Sequence, residues 1–227
     1  MNFSTVEQAI VRTGFTPRGA FGPEPQDRVP DVAPGVATRT LVLAGNAGPD
    51  MWRAFSAERD PARDSLDKWS RTKLTALAVE LGAVALFPFT RPHLPFQRWA
   101  QRAEACHPSP LGMFIHPDYG LWHGYRGALA FPESLGGLPS DERPSPCATC
   151  ADRPCRDACP VNAFTDDGYD VAACVRHIAT EAGRDCMELG CRARRACPVG
   201  TEHRYEPAQA RFHMAAFLRA RLADGLR

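Results

Sequence analysis

Apolar positions recur at helical spacing along two long stretches of this chain. Leu66, Trp69, Leu74, Leu77 and Leu81 share one face of a helix predicted from Asp64 to Leu81, with Gly82 placed to end it. Ala210, His213, Met214, Phe217 and Leu218 do the same for a tail helix from Glu206 to Leu222. Shorter helices are predicted where Ser4-x-x-Glu7 supplies a capping pattern before a stop at Gly14, over Asp50 to Glu58, over Gln97 to Ala105 and over Val171 to Ala182. Continuous apolar and β-branched runs predict buried strands instead: Arg39-Thr-Leu-Val-Leu-Ala44, Ala83 to Phe89, Leu111 to His116 and Leu121 to Phe131. Pro117-Asp-Tyr-Gly120 is the turn expected between the last two. Phe15 to Val36 is rich in Pro and Gly without a period and reads as loop, Thr90 to Pro95 reads as turn, and Pro132 to Pro146 reads as linker.

This order gives an α+β domain over residues 1–140, a small cysteine-rich domain over 141–204 and a docking helix over 205–227. The formal net charge of +1 supplies no overall field toward nucleic acid or an anionic membrane, so no nucleic-acid partner is expected. No apolar run is long enough to span a bilayer, and the start of the chain lacks the apolar core of a secretory signal. With reduced, metal-binding cysteines, these features point to the cytoplasm and to no membrane partner.

The cysteines carry the clearest chemistry. Eight of the nine lie in Cys147-x2-Cys150-x4-Cys155-x3-Cys159-Pro160 and the following Cys174, Cys186, Cys191 and Cys197-Pro198. Close-spaced thiolates on tight turns are what iron–sulfur clusters require, and two-cluster ferredoxins use C-x2-C-x2-C-x3-C-P. The run here is two residues wider between its second and third cysteines, with Arg153 where a regular run has Cys. Eight thiolates match two [4Fe–4S] clusters. Zinc is the main alternative, but only Cys147 and Cys150 form the paired element that structural zinc sites favour. One cluster with spare thiols is the other alternative, since Cys186-x4-Cys191-x5-Cys197 is looser than a regular motif. A disulfide framework suits short secreted chains and fits poorly. Cys106 stands apart and reads as a small core residue.

A redox appendage implies something to reduce. The N-terminal part has neither G-x-G-x-x-G nor G-x-x-x-x-G-K-[ST], so the usual nucleotide signatures are missing. Its most distinctive passage runs from Leu111 to Gly127 and sets His116, Tyr119, Trp122 and Arg126 around a turn. Such side chains suit the rim of a pocket for a large planar ligand with polar edges. On chemistry alone the plainer reading is a strand pair with Trp and Tyr in the core and Arg in a structural ion pair.

Ile115-His-Pro-x-Tyr-Gly-x-Trp-x-x-x-Arg-Gly127 resembles the strand pair that marks CblC-type cobalamin-processing proteins, B12 chaperones that remove the upper axial ligand of cobalamin on a nitroreductase-like scaffold. Phe96-Gln97-Arg98 is similar to that family's Tyr-Gln-Arg element, Gly14-Phe15 and Thr40 to Leu43 sit at similar places, and Pro49 to Phe55 resembles its segment after this strand. The cysteine order resembles that of epoxyqueuosine reductases and, more distantly, reductive dehalogenases, which join a cobalamin-binding nitroreductase-like domain to a two-cluster ferredoxin module. That resemblance implies one ligand set of Cys147, Cys150, Cys155 and Cys197, and a second of Cys159, Cys174, Cys186 and Cys191. From the first resemblance, Gln97 and Arg126 are expected to line a cobalamin pocket, with Arg98, His116, Tyr119 and Trp122 as neighbours.

Epoxyqueuosine reductases also carry an Asp shortly after the strand matching Ala83 to Phe89, as general acid. Here that stretch is Phe87-Pro-Phe-Thr90-Arg91-Pro92, without a carboxylate, and the family's Gly-Trp-Ile-Gly-Lys-Asn-like segment is missing. The expectation is therefore an iron–sulfur redox protein of cobalamin metabolism, with a corrinoid and an electron-donor protein as partners. The second expectation is a ferredoxin-type electron carrier that binds no corrin; a tRNA-modifying reductase comes third.

Overall fold

A computed structural model describes residues 1–60 and 65–225. They form two compact units, Met1–Ala105 with His123–Arg143, and Cys106–Trp122 with the chain from Pro144 onward. Residues 106–122, which the sequence places inside a continuous N-terminal domain, thus group with the cysteine-rich part, and so does the tail helix.

The first unit opens with α1 (Phe3–Arg12), capped by Asn2, whose side chain accepts the Thr5 N–H at 2.9 Å. The cap lies two residues ahead of the Ser4 suggested by the capping pattern. β1 (Thr16–Phe21) and β2 (Thr40–Ala47) follow, then α2 (Asp50–Glu58) and α3 (Leu66–Leu81). The expected start of α3 at Asp64 lies outside the described residues; Ser65 caps the helix, and Gly82 ends it in the left-handed conformation at φ 67°. β3 (Val84–Leu86) and α4 (Phe96–Ala103) come next. The chain then contributes β4 (His107–Pro108) and β5 (Phe114–Ile115) to the second unit and returns as β6 (His123–Phe131).

The sheet of the first unit is antiparallel throughout, in the order β1-β2-β6-β3. β2 is central and buried from Thr40 to Asn46, on both faces, which explains its continuous apolar run. Phe15, Phe55 and Trp69 pack together beside it, with ring centroids 4.9 and 5.6 Å apart.

Two irregularities in this sheet position charged side chains. In β1, Pro17 pairs with Ala44 and Ala20 with Val42, so Arg18 and Gly19 together face only Leu43. This is a β-bulge, and Gly19 (φ 73°) passes so close to α4 that a Cβ there would lie 2.1 Å from the Ala103 carbonyl oxygen. The strand was expected to be loop because Pro17 and Gly19 break any alternation; an edge strand tolerates both. Arg18 is fully buried. It donates to both oxygens of Glu104 (3.1 and 2.5 Å) and to the Asn46 carbonyl (2.7 Å), and lies 3.1 Å from His123 Nδ1. Tyr125 donates its hydroxyl to Glu104 at 2.5 Å. In β6, Ala44 pairs with Gly127 and Gly45 with Tyr125, so Arg126 is the extra residue of a second bulge.

The expected strand pair 111–116 and 121–131 does not form. β5 keeps two residues and pairs with β4, while β6 pairs with β2 and β3. Between them His116 and Gly120 exchange backbone hydrogen bonds of 2.9 Å in both directions, closing a tight loop. The second unit continues with α5 (Pro154–Asp157), the ribbon β7 (Phe164–Thr165) with β8 (Gly168–Tyr169), α6 (Val171–Ile178), α7 (Arg184–Leu189), α8 (Arg192–Arg195) and α9 (Pro207–Ala223). Among the described residues no helix is long and apolar enough to cross a membrane.

Removing one partner of a buried ion pair leaves the other charge uncompensated. Glu104→Ala is expected to destabilise the first unit by about 3–5 kcal/mol, read from urea denaturation, because Arg18 has no route to water. A loss below about 1 kcal/mol would show that the network contributes no more than a surface pair.

Candidate functional site

The eight clustered cysteines sit on short elements of the second unit, several of them held by a local device. The Ser145 hydroxyl accepts the Cys147 N–H. Arg153 adopts a left-handed conformation at φ 39°, and Pro154 starts α5 directly after it. The two extra residues of the widened spacing are thereby absorbed in a turn, and Cys155 is buried. The Cys159 thiol accepts the Ala163 N–H at 3.3 Å. Cys174 is carried by α6, whose N-terminus is capped by Asp170 accepting the Ala173 N–H at 2.8 Å. Cys186 lies in α7 and Cys191 at the start of α8, where the Ala193 and Arg194 N–H groups hydrogen-bond its sulfur.

The side chains separate into two groups. Cys147, Cys150, Cys155 and Cys197 line one small cavity. Cys159, Cys174, Cys186 and Cys191 line another. All nine cysteines of the chain are free thiols. Among the described residues, no three His, Cys, Asp or Glu side chains converge closely enough to hold a single metal ion; the thiols surround spaces instead. Cys106 is buried in the second unit and lines neither space.

Burial pushes the Cys147, Cys155, Cys174, Cys191 and Cys197 thiols above their ordinary pKa, and the neighbouring thiols add to the shift by mutual repulsion. Neighbouring thiols raised in this way ionise together only if a cationic group offsets their charge, as metal binding does. The second cavity has a further feature without any mark in the sequence. His177 lines it, and the buried His177 Nε2 has no hydrogen-bond partner among the described residues. Both donor sets therefore fit a group that brings positive charge and accepts thiolates.

The six residues expected around a corrin fall in both units. In the first, Gln97 and Arg98 are exposed on α4, and the Arg98 guanidinium donates to the Gln26 carbonyl. Arg126 is aimed by its bulge at α3, where it pairs with Asp67, donates to the Ser70 hydroxyl at 3.1 Å and lies over the Phe89 ring. This is the structural ion pair of the plainer reading. In the second unit His116 is buried; its Nδ1 accepts the Asp118 and Tyr119 N–H groups at 3.1 and 3.4 Å, and its ring stacks on Tyr119. Trp122 is also buried, with the Arg194 guanidinium 4.5 Å above its ring.

Comparison with known proteins gives two folds alike. No protein-family model matches the chain, and no curated protein sequence matches it. Among solved structures, epoxyqueuosine reductase from Streptococcus thermophilus is similar with a TM-score of 0.54 and 16% identity, over 88% of this chain and 66% of that one. The B12-trafficking protein CblC of C. elegans, described as a homologue of human MMACHC, is similar with a TM-score of 0.52 and 15% identity, over 95% of each chain. The chain thus spans about two thirds of the reductase and nearly all of the trafficking protein. At these identities the likeness is one of fold.

If the two spaces hold iron, Cys150→Ser and Cys159→Ser each lower the iron content of anaerobically purified protein, since each takes a thiol from one group of four, while Cys106→Ser keeps the full complement. Iron retained by Cys159→Ser but lost from Cys106→Ser would overturn the grouping.

Proposed function

We propose that the chain is a two-cluster iron–sulfur redox protein that binds a corrinoid and delivers electrons to its cobalt, so that the upper ligand leaves. The observation that carries the reading is the division of eight clustered cysteines between two cavities, four to each. It coincides with the ligand sets of a two-cluster ferredoxin module. The likeness of fold to a B12-trafficking protein and to an epoxyqueuosine reductase supports the corrinoid part.

When bound, [4Fe–4S] clusters supply one-electron transfer, and a reduced cobalt holds its upper ligand more weakly. The chain's own part is to hold and shield. Cys147, Cys150, Cys155 and Cys197 would ligate one cluster, and Cys159, Cys174, Cys186 and Cys191 the other. The Ala163, Ala193 and Arg194 N–H groups orient and partly neutralise the Cys159 and Cys191 sulfurs. Gln97 and Arg98 present amide and guanidinium donors to solvent, suited to the amide-bearing rim of a corrinoid. His116, Tyr119, Trp122 and Arg126 serve it by fixing the backbone around them. An electron-donor protein completes the cycle, and the chemistry belongs in a reducing compartment, the cytoplasm. No nucleic acid enters this reading, because Phe87 to Pro92 offers no carboxylate as general acid for an epoxide.

Protein purified without oxygen is expected to carry about eight iron atoms per chain. Added hydroxocobalamin should bind with a changed visible spectrum, and a strong reductant should release its upper ligand faster with protein than without. Gln97→Ala should weaken that binding at unchanged melting temperature. Arg126→Ala should lower the melting temperature of corrin-free protein, since it breaks the contacts to Asp67 and Ser70. An unchanged corrin spectrum at cobalamin well above micromolar would leave a ferredoxin-type electron carrier; zinc in place of iron would remove the redox function altogether.

A further inference from the structure

The second thiol group has a hydroxyl donor beside it. Tyr169 donates its O–H to the Cys174 sulfur, and the Cys159 and Cys191 sulfurs interact with the same phenol electrostatically. One side chain thus faces three of the four thiols of that group. Tyr169 does not line the small cavity between them; together with Cys174 and Cys191 it lines a larger one of about 470 Å³. A phenol keeps its proton at neutral pH, so toward a thiolate it acts as the donor.

The local fold aims this donor. Tyr169 ends β8, and its ring stacks on Phe164 directly across the ribbon, with centroids 4.7 Å and planes 13° apart. The Thr165 hydroxyl closes the turn by donating to the Gly168 carbonyl at 3.2 Å, and Gly168 takes φ 124°, which side chains rarely adopt. One residue further, the Asp170 N–H donates to the Ala163 carbonyl at 2.8 Å. Ala163 is the residue whose own N–H serves the Cys159 sulfur, and Asp170 caps the helix that carries Cys174. Phenol and acceptor sulfur therefore sit on one braced segment that also holds Cys159.

Hydrogen bonds to ligand sulfurs are among the levers that set the potential of an iron–sulfur group. Uptake of an electron adds negative charge that the sulfurs share, so a donor aimed at them stabilises the reduced form more than the oxidised one. We propose that Tyr169 is a potential-setting residue for the second thiol group, raising the potential of the cluster held there through its O–H on the Cys174 sulfur. The inference rests on the two-cluster reading and deepens it. One electron enters, the phenol keeps its proton, and no bond is made or broken.

The test is a redox titration of the full chain, purified without oxygen, with reduced clusters read by electron paramagnetic resonance and iron counted in the same sample. The signal missing from Cys159→Ser identifies the second cluster. Tyr169→Phe keeps the ring and its stack and loses only the donor. It is expected to lower the second potential by about tenfold in the reduction equilibrium, about 59 mV for one electron, and to leave the first unchanged. Replacing Tyr169 by 3-fluorotyrosine, a stronger donor, should raise the same potential. Full iron in Tyr169→Phe with an unchanged second potential, or an equal shift of both, would overturn this proposal alone. Protein whose second thiols hold no iron would overturn the two-cluster reading and the proposal with it. Should Tyr169→Phe lose iron, the fluorinated protein decides: a second potential that does not rise overturns the proposal.

Discussion

The second unit depends on one backbone crossing. Gly120 and Gly200 lie against each other's chain so closely that a Cβ on Gly120 would fall 1.9 Å from the Val199 carbonyl oxygen, and one on Gly200 would fall 2.3 Å from the Tyr119 carbonyl carbon. Both residues also have positive φ, 55° and 67°, which side chains rarely adopt. The crossing brings the loop closed by His116 and Gly120 onto the segment that follows Cys197-Pro198. His116 holds that loop by accepting two backbone N–H groups, and Arg194 clamps its far end through the Leu121 carbonyl. Cys197, the last thiol of the first group, is thus fixed by a passage distant in sequence.

The crossing also gives His116 and Tyr119, which the family resemblance sets beside a ligand pocket, a physical task in the loop. A buried His ring with backbone donors on Nδ1 is an element of loop architecture. Arg126 tells a similar story. Its place as the extra residue of a bulge in β6 turns it toward α3, where Asp67 and Ser70 meet it. Side chains that look like a rim in one dimension can be the struts that shape it in three.

Legibility followed the strength of local signals. α2 agrees with its expected span to the residue, β2 and α9 nearly so, because their apolar patterns match the period of the element and turn residues bound them. β1 was hidden by Pro17 and Gly19, whose roles at an edge and in a bulge are set by Ala103 and Leu43, residues far along the chain. The clustering of the cysteines was legible from spacing. Their division into two groups of four came from family likeness rather than spacing, since Cys197 joins residues 42 to 50 positions earlier. His177, Arg194 and Tyr205 carried no such mark; an isolated His or Arg on a short helix gains meaning only from what surrounds it.

The two thiol groups are nested along the chain. All four members of the second lie between Cys155 and Cys197, which both belong to the first. During synthesis the inner group is therefore complete before the outer one, and its last member, Cys191, emerges only six residues ahead of the residue that closes the outer set. Joining the outer set then ties off a loop that contains the whole inner set, which removes chain entropy from any state in which the inner set is open. Any group that joined the four outer thiols would therefore close a loop of chain around the inner four.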